Sequence, residues 1–207
     1  MTRLTTSFHA PVSMVRPRGS RRIEIYGLKL DRRVQCFGEA AYGQWVCLEA
    51  DPSIQTYCER PAFLEIGNEK LLVDFWIKQD DQETLLIIGE ECSLQRTMLG
   101  NTDYTVKTIS QNGLASAQVW IENWERILPV ITSCRGLVPD TLLKTIQRLV
   151  AEPMQLSHIE RELVTSEPTI VRGAILMLLH RGQLRAPQLR TEPLSFLTQF
   201  APVEDES

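Results

Sequence analysis

Leu71-Leu72-Val73-Asp74-Phe75-Trp76-Ile77 is an apolar strand with one carboxylate set in its middle. Burying an acid there costs free energy unless a cation or hydrogen bonds compensate it, so Asp74 reads as a functional group. Further on, Thr84-Leu85-Leu86-Ile87-Ile88-Gly89-Glu90-Glu91 is a second apolar strand, and it ends in acids. Upstream, Phe37-Gly38-Glu39-Ala40-Ala41-Tyr42 opens a buried helix with Glu39 in its first turn. A helix acid followed by acids on two neighbouring strands is how a nuclease core holds Mg²⁺, which takes hard oxygen ligands next to a phosphate. Taken singly, Glu39 also fits a helix-terminal acid favoured by the dipole, and Glu90 and Glu91 a solvated strand end.

The surrounding pattern predicts an α/β core over residues 34–128. The first helix runs from about Phe37 to Glu49 and stops before the turn signal Asp51-Pro52. Ile54–Cys58 alternates as a strand, Ala62–Ile66 is a short one, and Gly67-Asn68 turns into Lys70–Lys78. Gln79–Gln82 turns into Glu83–Gly89, Thr105–Ile109 is a last strand, and Ala115–Leu128 an amphipathic helix. Residues 129–136 read as a linker around Pro129. Beyond it, helices at Asp140–Ala151, Leu156–Val164 and Thr169–Arg181 precede short strands at Gly182–Leu189 and Leu194–Phe200. Three helices and a terminal hairpin suggest a winged-helix domain over 137–203. The acid-free stretch 168–191 carries Arg172, Arg181, Arg185 and Arg190, as a DNA-facing helix and wing would. The same fold also serves protein contacts.

Length and composition fit one large or two small globular domains, with 207 residues, 43% of them hydrophobic and 23% charged. No apolar run approaches the length of a membrane span, and the N-terminus has no signal-peptide core. Five cysteines with no C-x-x-C argue against a disulfide framework or a zinc site, and read as reduced thiols of a cytosolic protein. The four tryptophans (Trp45, Trp76, Trp120, Trp124) sit at apolar positions and read as core. Net charge is −4, but residues 1–33 hold eight Lys/Arg against Glu24 and Asp31, so this segment is +6 and the rest −10. Such a basic arm, with Arg16, Arg18, Arg21 and Arg22, can neutralise phosphates while the chain as a whole stays acidic. A tail that binds a protein partner has the same composition.

With these residues in place, the chain resembles the TnsA family, the restriction-endonuclease-like (PD-(D/E)XK) subunit of heteromeric transposases. Glu39 matches the family's helix acid, and Asp74-Phe75 its metal-binding acid on a strand. Asp51-Pro52-Ser53-Ile54-Gln55-Thr56-Tyr57-Cys58-Glu59-Arg60-Pro61 matches its turn and strand, with Arg60 in place of the usual Gln. The resemblance covers roughly residues 20–200. It implies a bacterial, nucleoid-associated protein that binds transposon ends and cuts the 5′ strand there with Mg²⁺ held by Glu39 and Asp74. The implied partners are a TnsB-like DDE transposase and a TnsC-like AAA+ ATPase.

The resemblance breaks at the last strand. The family's E-x-K positions fall on Ile88-Gly89-Glu90, so an apolar residue replaces a metal ligand and an acid replaces the lysine that would face the phosphate. Glu90 or Glu91 on a shifted strand end, or a migrated Lys70 or Lys78, would restore the missing groups, and Gln44 is a further neighbour of Glu39. Without such a rescue the expectation is a nuclease-fold subunit with reduced or lost cleavage. The alternative is a non-transposon winged-helix DNA-binding regulator whose α/β domain is only structural.

Overall fold

The computed structural model describes residues 8–66, 69–89, 94–163 and 167–203. The chain is a mixed α/β protein that divides into two compact units, residues 1–49 with 53–116, and residues 50–52 with 117–207.

The first unit is built on a five-stranded mixed sheet. Its elements are β1 (Arg22–Gly27), β2 (Arg32–Phe37), α1 (Glu39–Ala50, whose last residue groups with the second unit), β3 (Ile54–Glu59), β4 (Phe63–Ile66) and β5 (Glu69–Leu72), then β6 (Phe75–Gln79), β7 (Gln82–Ile88), β8 (Arg96–Leu99), β9 (Thr102–Ile109) and α2 (Gln111–Ser116). The sheet order is β3-β6-β7-β9-β8, antiparallel throughout except that β7 and β9 run parallel. Alternation sets its faces: Cys58, Trp76, Leu85, Ile87, Tyr104 and Val106 form one buried cluster. From the remaining core, Trp45 of α1 donates to the Tyr57 hydroxyl (2.7 Å), which donates to Glu49 (2.6 Å). Gly27 is the only residue type that fits beside them, because a Cβ there would lie 2.7 Å from Tyr57 Oη.

Three differences from the sequence reading are instructive. The β1–β2 hairpin takes up the last part of what reads as an irregular arm, from Arg22 on, since Ile23 and Ile25 alternate with the charges that mask them. The single strand expected over 70–78 is two strands. Val73 N–H still bonds to Ala62 C=O alongside β4, whereas Asp74 N–H bonds to Leu86 C=O and Asp74 C=O accepts from Arg60 N–H. The chain therefore leaves one sheet and enters another at Asp74. Strand β8, turned back on β9 at Gly100 (φ 62°), has no counterpart in the sequence reading.

The second unit holds α3 (Gln118–Cys134), α4 (Asp140–Leu149), β10 (Met154–Gln155), α5 (Leu156–Glu162), α6 (Pro168–His180), β11 (Leu184–Arg185), a 3-10 turn (Pro187–Arg190) and β12 (Gln199–Pro202). Its small sheet has the order β10-β12-β11. α3 continues through Pro129, so most of the expected linker is helix. Pro129 lies on the exposed side, where the carbonyl it frees can meet water. Helix α6 is apolar on nearly all sides and buried at Val171 and from Gly173 to Leu179. Helix α3 approaches it closely, for a Cβ on Gly173 would stand 2.4 Å from Cys134 Sγ.

Candidate functional site

The first unit has a cleft of about 80 Å³ lined by Pro17, Gln35, Cys36, Phe37, Ala41, Glu59, Arg60, Leu72, Asp74 and Phe75. Asp74 reaches it because the switch between sheets frees its side chain from a regular strand. Among the described residues its carboxylate accepts one hydrogen bond, from Ile88 N–H at 2.6 Å. Burial outweighs that bond and pushes the Asp74 carboxyl up from 3.8 to about 6.

Glu59 lines the same cleft and is treated in the opposite way. It is 2% exposed, and the Arg32 guanidinium donates to both of its oxygens at 2.8 and 2.6 Å. The forked pair neutralises the charge and explains why Glu59 tolerates burial. Arg60, also nearly buried, sits at φ 47°, a left-handed conformation that side chains with a Cβ disfavour. Its guanidinium lies 4.8 Å from the Phe37 ring centre and donates to Gln35 C=O, while its Nε has no partner among the described residues. Cys36 is buried in the cleft wall; desolvation, with Glu59 adding to it, pushes its thiol up to about 12.

The expected site residues are only partly brought together. Glu39 is exposed at the start of α1, paired with Arg21 at 3.3 Å, and is not among the cleft residues, although Ala41 of the same turn is. Lys70 projects from the β4–β5 hairpin opposite Glu65 (3.9 Å), so it does not supply an ammonium to the cleft. Gln44 is buried but does not line it. Glu90 and Glu91 lie outside the described residues. Arg16 and Arg18 are exposed on the arm, and Arg22 pairs with Glu24. In the second unit Arg181 and Arg185 are exposed. Arg172 is committed to Glu160 (2.7 and 3.1 Å) and stacks on Phe196, 5.1 Å from its ring centre.

Sequence reasoning passes over Gln35, Cys36, Glu59 and Pro17. The eleven-residue recurrence of Cys36, Cys47 and Cys58 carries no chemistry, and the Glu59-Arg60 pair is visible only as a break in a motif. The donor set does not fit Mg²⁺ among the described residues: no group of three His, Cys, Asp or Glu side chains converges there. Ile88, next to Asp74 on β7, offers only its backbone N–H. No protein-family model matches the chain, and no curated protein does. No helix among the described residues is long and apolar enough to cross a membrane.

Proposed function

We propose that the chain is a TnsA-type subunit of a DNA transposition machinery, one that binds transposon ends while its own 5′-strand cleavage is reduced or lost. The order α1-β3-β6-β7, with β9 parallel to β7 and Asp74 at the head of β6, supports a restriction-endonuclease-like core. The order α4-β10-α5-α6-β11-β12, with β12 central in its sheet, supports a winged-helix module.

The observation that carries the reading is the Ile88 N–H bond to Asp74. In an active site of this type the residue beside the strand aspartate is a second carboxylate, and the two share a cation. Here the neighbour is an isoleucine whose amide occupies one Asp74 oxygen. The exposed arginines of the arm are left to hold DNA phosphates, and the rest of the surface to hold a DDE transposase and an AAA+ ATPase. With the 5′ strand uncut, the transposase's single-strand cuts lead to a cointegrate.

A winged-helix regulator that reads DNA through α6 is the weaker reading. A recognition helix needs an open face for the major groove, and α6 is enclosed along most of its length.

End DNA, the transposase partner and Mg²⁺ or Mn²⁺ provide the test. The expected result is binding with little 5′-strand cleavage and cointegrate as the main product. Robust cleavage that disappears in Asp74→Ala would overturn the reading. Binding itself should be salt-dependent, with the slope of log K against log salt reduced by about 0.9 for each phosphate-holding arginine removed from the arm.

A further inference from the structure

Residues 8–20 do not trail away from the first unit. Phe8 packs against the sheet, its ring centre 5.8 Å from those of both Trp76 and Tyr104. Val12 N–H donates to Arg60 C=O at 2.8 Å, just past the end of β3. Pro17 then forms one wall of the cleft that holds Asp74. A turn closed by Ser20 N–H on Pro17 C=O (3.1 Å), with Gly19 at φ 83°, joins this segment to β1. The segment is thus fastened at Phe8, at Val12 and at the turn before β1, and between the last two Pro17 lines the cleft. Its exposed arginines, Arg16 and Arg18, flank that closing residue on either side.

We infer that residues 8–17 are a strap that shuts the Asp74 cleft, and that duplex DNA, taken up by Arg16 and Arg18, lifts it. The inference rests on the proposed reading of the arm as a DNA-binding element. Arg16 and Arg18 flank Pro17, so a phosphate backbone that draws both side chains to itself pulls on the segment that carries it. The fastenings are weak enough to yield, since each of the two aromatic pairs shifts an equilibrium by only about fivefold. Arg21 continues the coupling: a phosphate that draws it away releases Glu39, its partner at 3.3 Å on the first turn of α1.

Two measurements on the full chain test this. Cys36, 2% exposed in the cleft wall, reports closure through its rate of alkylation, followed by mass spectrometry. Phe8→Ala, or Val12→Pro, which removes the amide donor, should speed Cys36 labelling by about tenfold with no DNA present. The Val12 amide reports lifting through hydrogen exchange, which should accelerate when a duplex binds. Exchange that slows or stays constant while the duplex is bound overturns the strap but leaves the DNA reading intact. Cys36 labelling unchanged in both variants, with both folded by circular dichroism, also overturns it. A full-length protein that binds no duplex at all overturns the proposed function and this inference together.

Discussion

Asn123 in the second unit and Asp74 in the first are both polar groups set among apolar ones, and their surroundings differ in one respect. Asn123, 1% exposed on α3, donates to Leu189 C=O and Glu192 C=O, both at 2.8 Å, and accepts from Leu194 N–H at 2.7 Å. It ties the segment after the 3-10 turn to a helix far away in sequence. Among the described residues Asp74 has one backbone donor and no neutralising cation, and burial holds its carboxyl well above the ordinary range. A satisfied polar group stabilises a fold. One left short is a cost, and such costs concentrate where a ligand is met. The contrast marks Asn123 as architecture and Asp74 as the candidate for function.

Glu59 sharpens the contrast, because it shares the cleft with Asp74 but has its own cation. Arg32→Ala would leave a carboxylate at 2% exposure with no partner, which costs about 3–5 kcal/mol. Urea unfolding of the first unit should show that loss, and Arg32→Lys should recover only part of it, since an ammonium cannot reproduce the fork. A loss below about 1 kcal/mol would mean that Glu59 is neutralised by another group, weakening the distinction from Asp74. Asn123→Ala comes next, at about 2–3 kcal/mol, because three backbone groups lose their partner together. Hydrogen exchange should localise the effect to residues 189–194. A loss spread evenly over the unit would break the assignment of Asn123 as a local tie.

The legible and the hidden parts of this chain divide along the same physical line. Helix α1, β3 and the β6–β7 hairpin were readable because turn chemistry marks their ends: Asp51-Pro52 before β3, and Asp80 at φ 51° between β6 and β7. The β1–β2 hairpin was hidden by its own charge, since Arg22, Glu24, Arg32 and Arg33 dominate the composition while Ile23, Ile25, Val34 and Cys36 carry the strand pattern. Pro129 reads as a linker because a proline breaks an isolated helix, and only packing on α6 shows that this one faces outward. At the site, an acid in an apolar run was visible as an anomaly. That it stands at a change of sheet, beside the amide of Ile88, depends on pairing between strands that no local pattern encodes. The partner of Glu39 was unreadable for the same reason: Arg21 meets it only once the hairpin has folded back.

The smallest expected effect is the one that bears most directly on the contrast. The folded-state pKa of Asp74 lies above its ordinary 3.8, at about 6, so the folded protein holds this proton more tightly than the unfolded chain does. Stability from this group is therefore greatest at or below pH 4, declines as pH rises to about 6, and is level beyond. Asp74→Asn keeps an oxygen to accept from Ile88 N–H and removes the charge. Its unfolding free energy should match that of the wild type near pH 4 and exceed it by about 1–2 kcal/mol at pH 7, after allowance for partial solvent access to the site. Urea titrations at intervals from pH 4 to 8 measure the difference directly. Parallel curves, or a variant less stable at pH 7, would show that a neighbouring cation already compensates Asp74. Asp74 would then be as architectural as Asn123. A gain confined to the higher pH values would instead mean that the fold gives up stability to keep an ionisable carboxylate at the mouth of this cleft, as a group held ready for a ligand must.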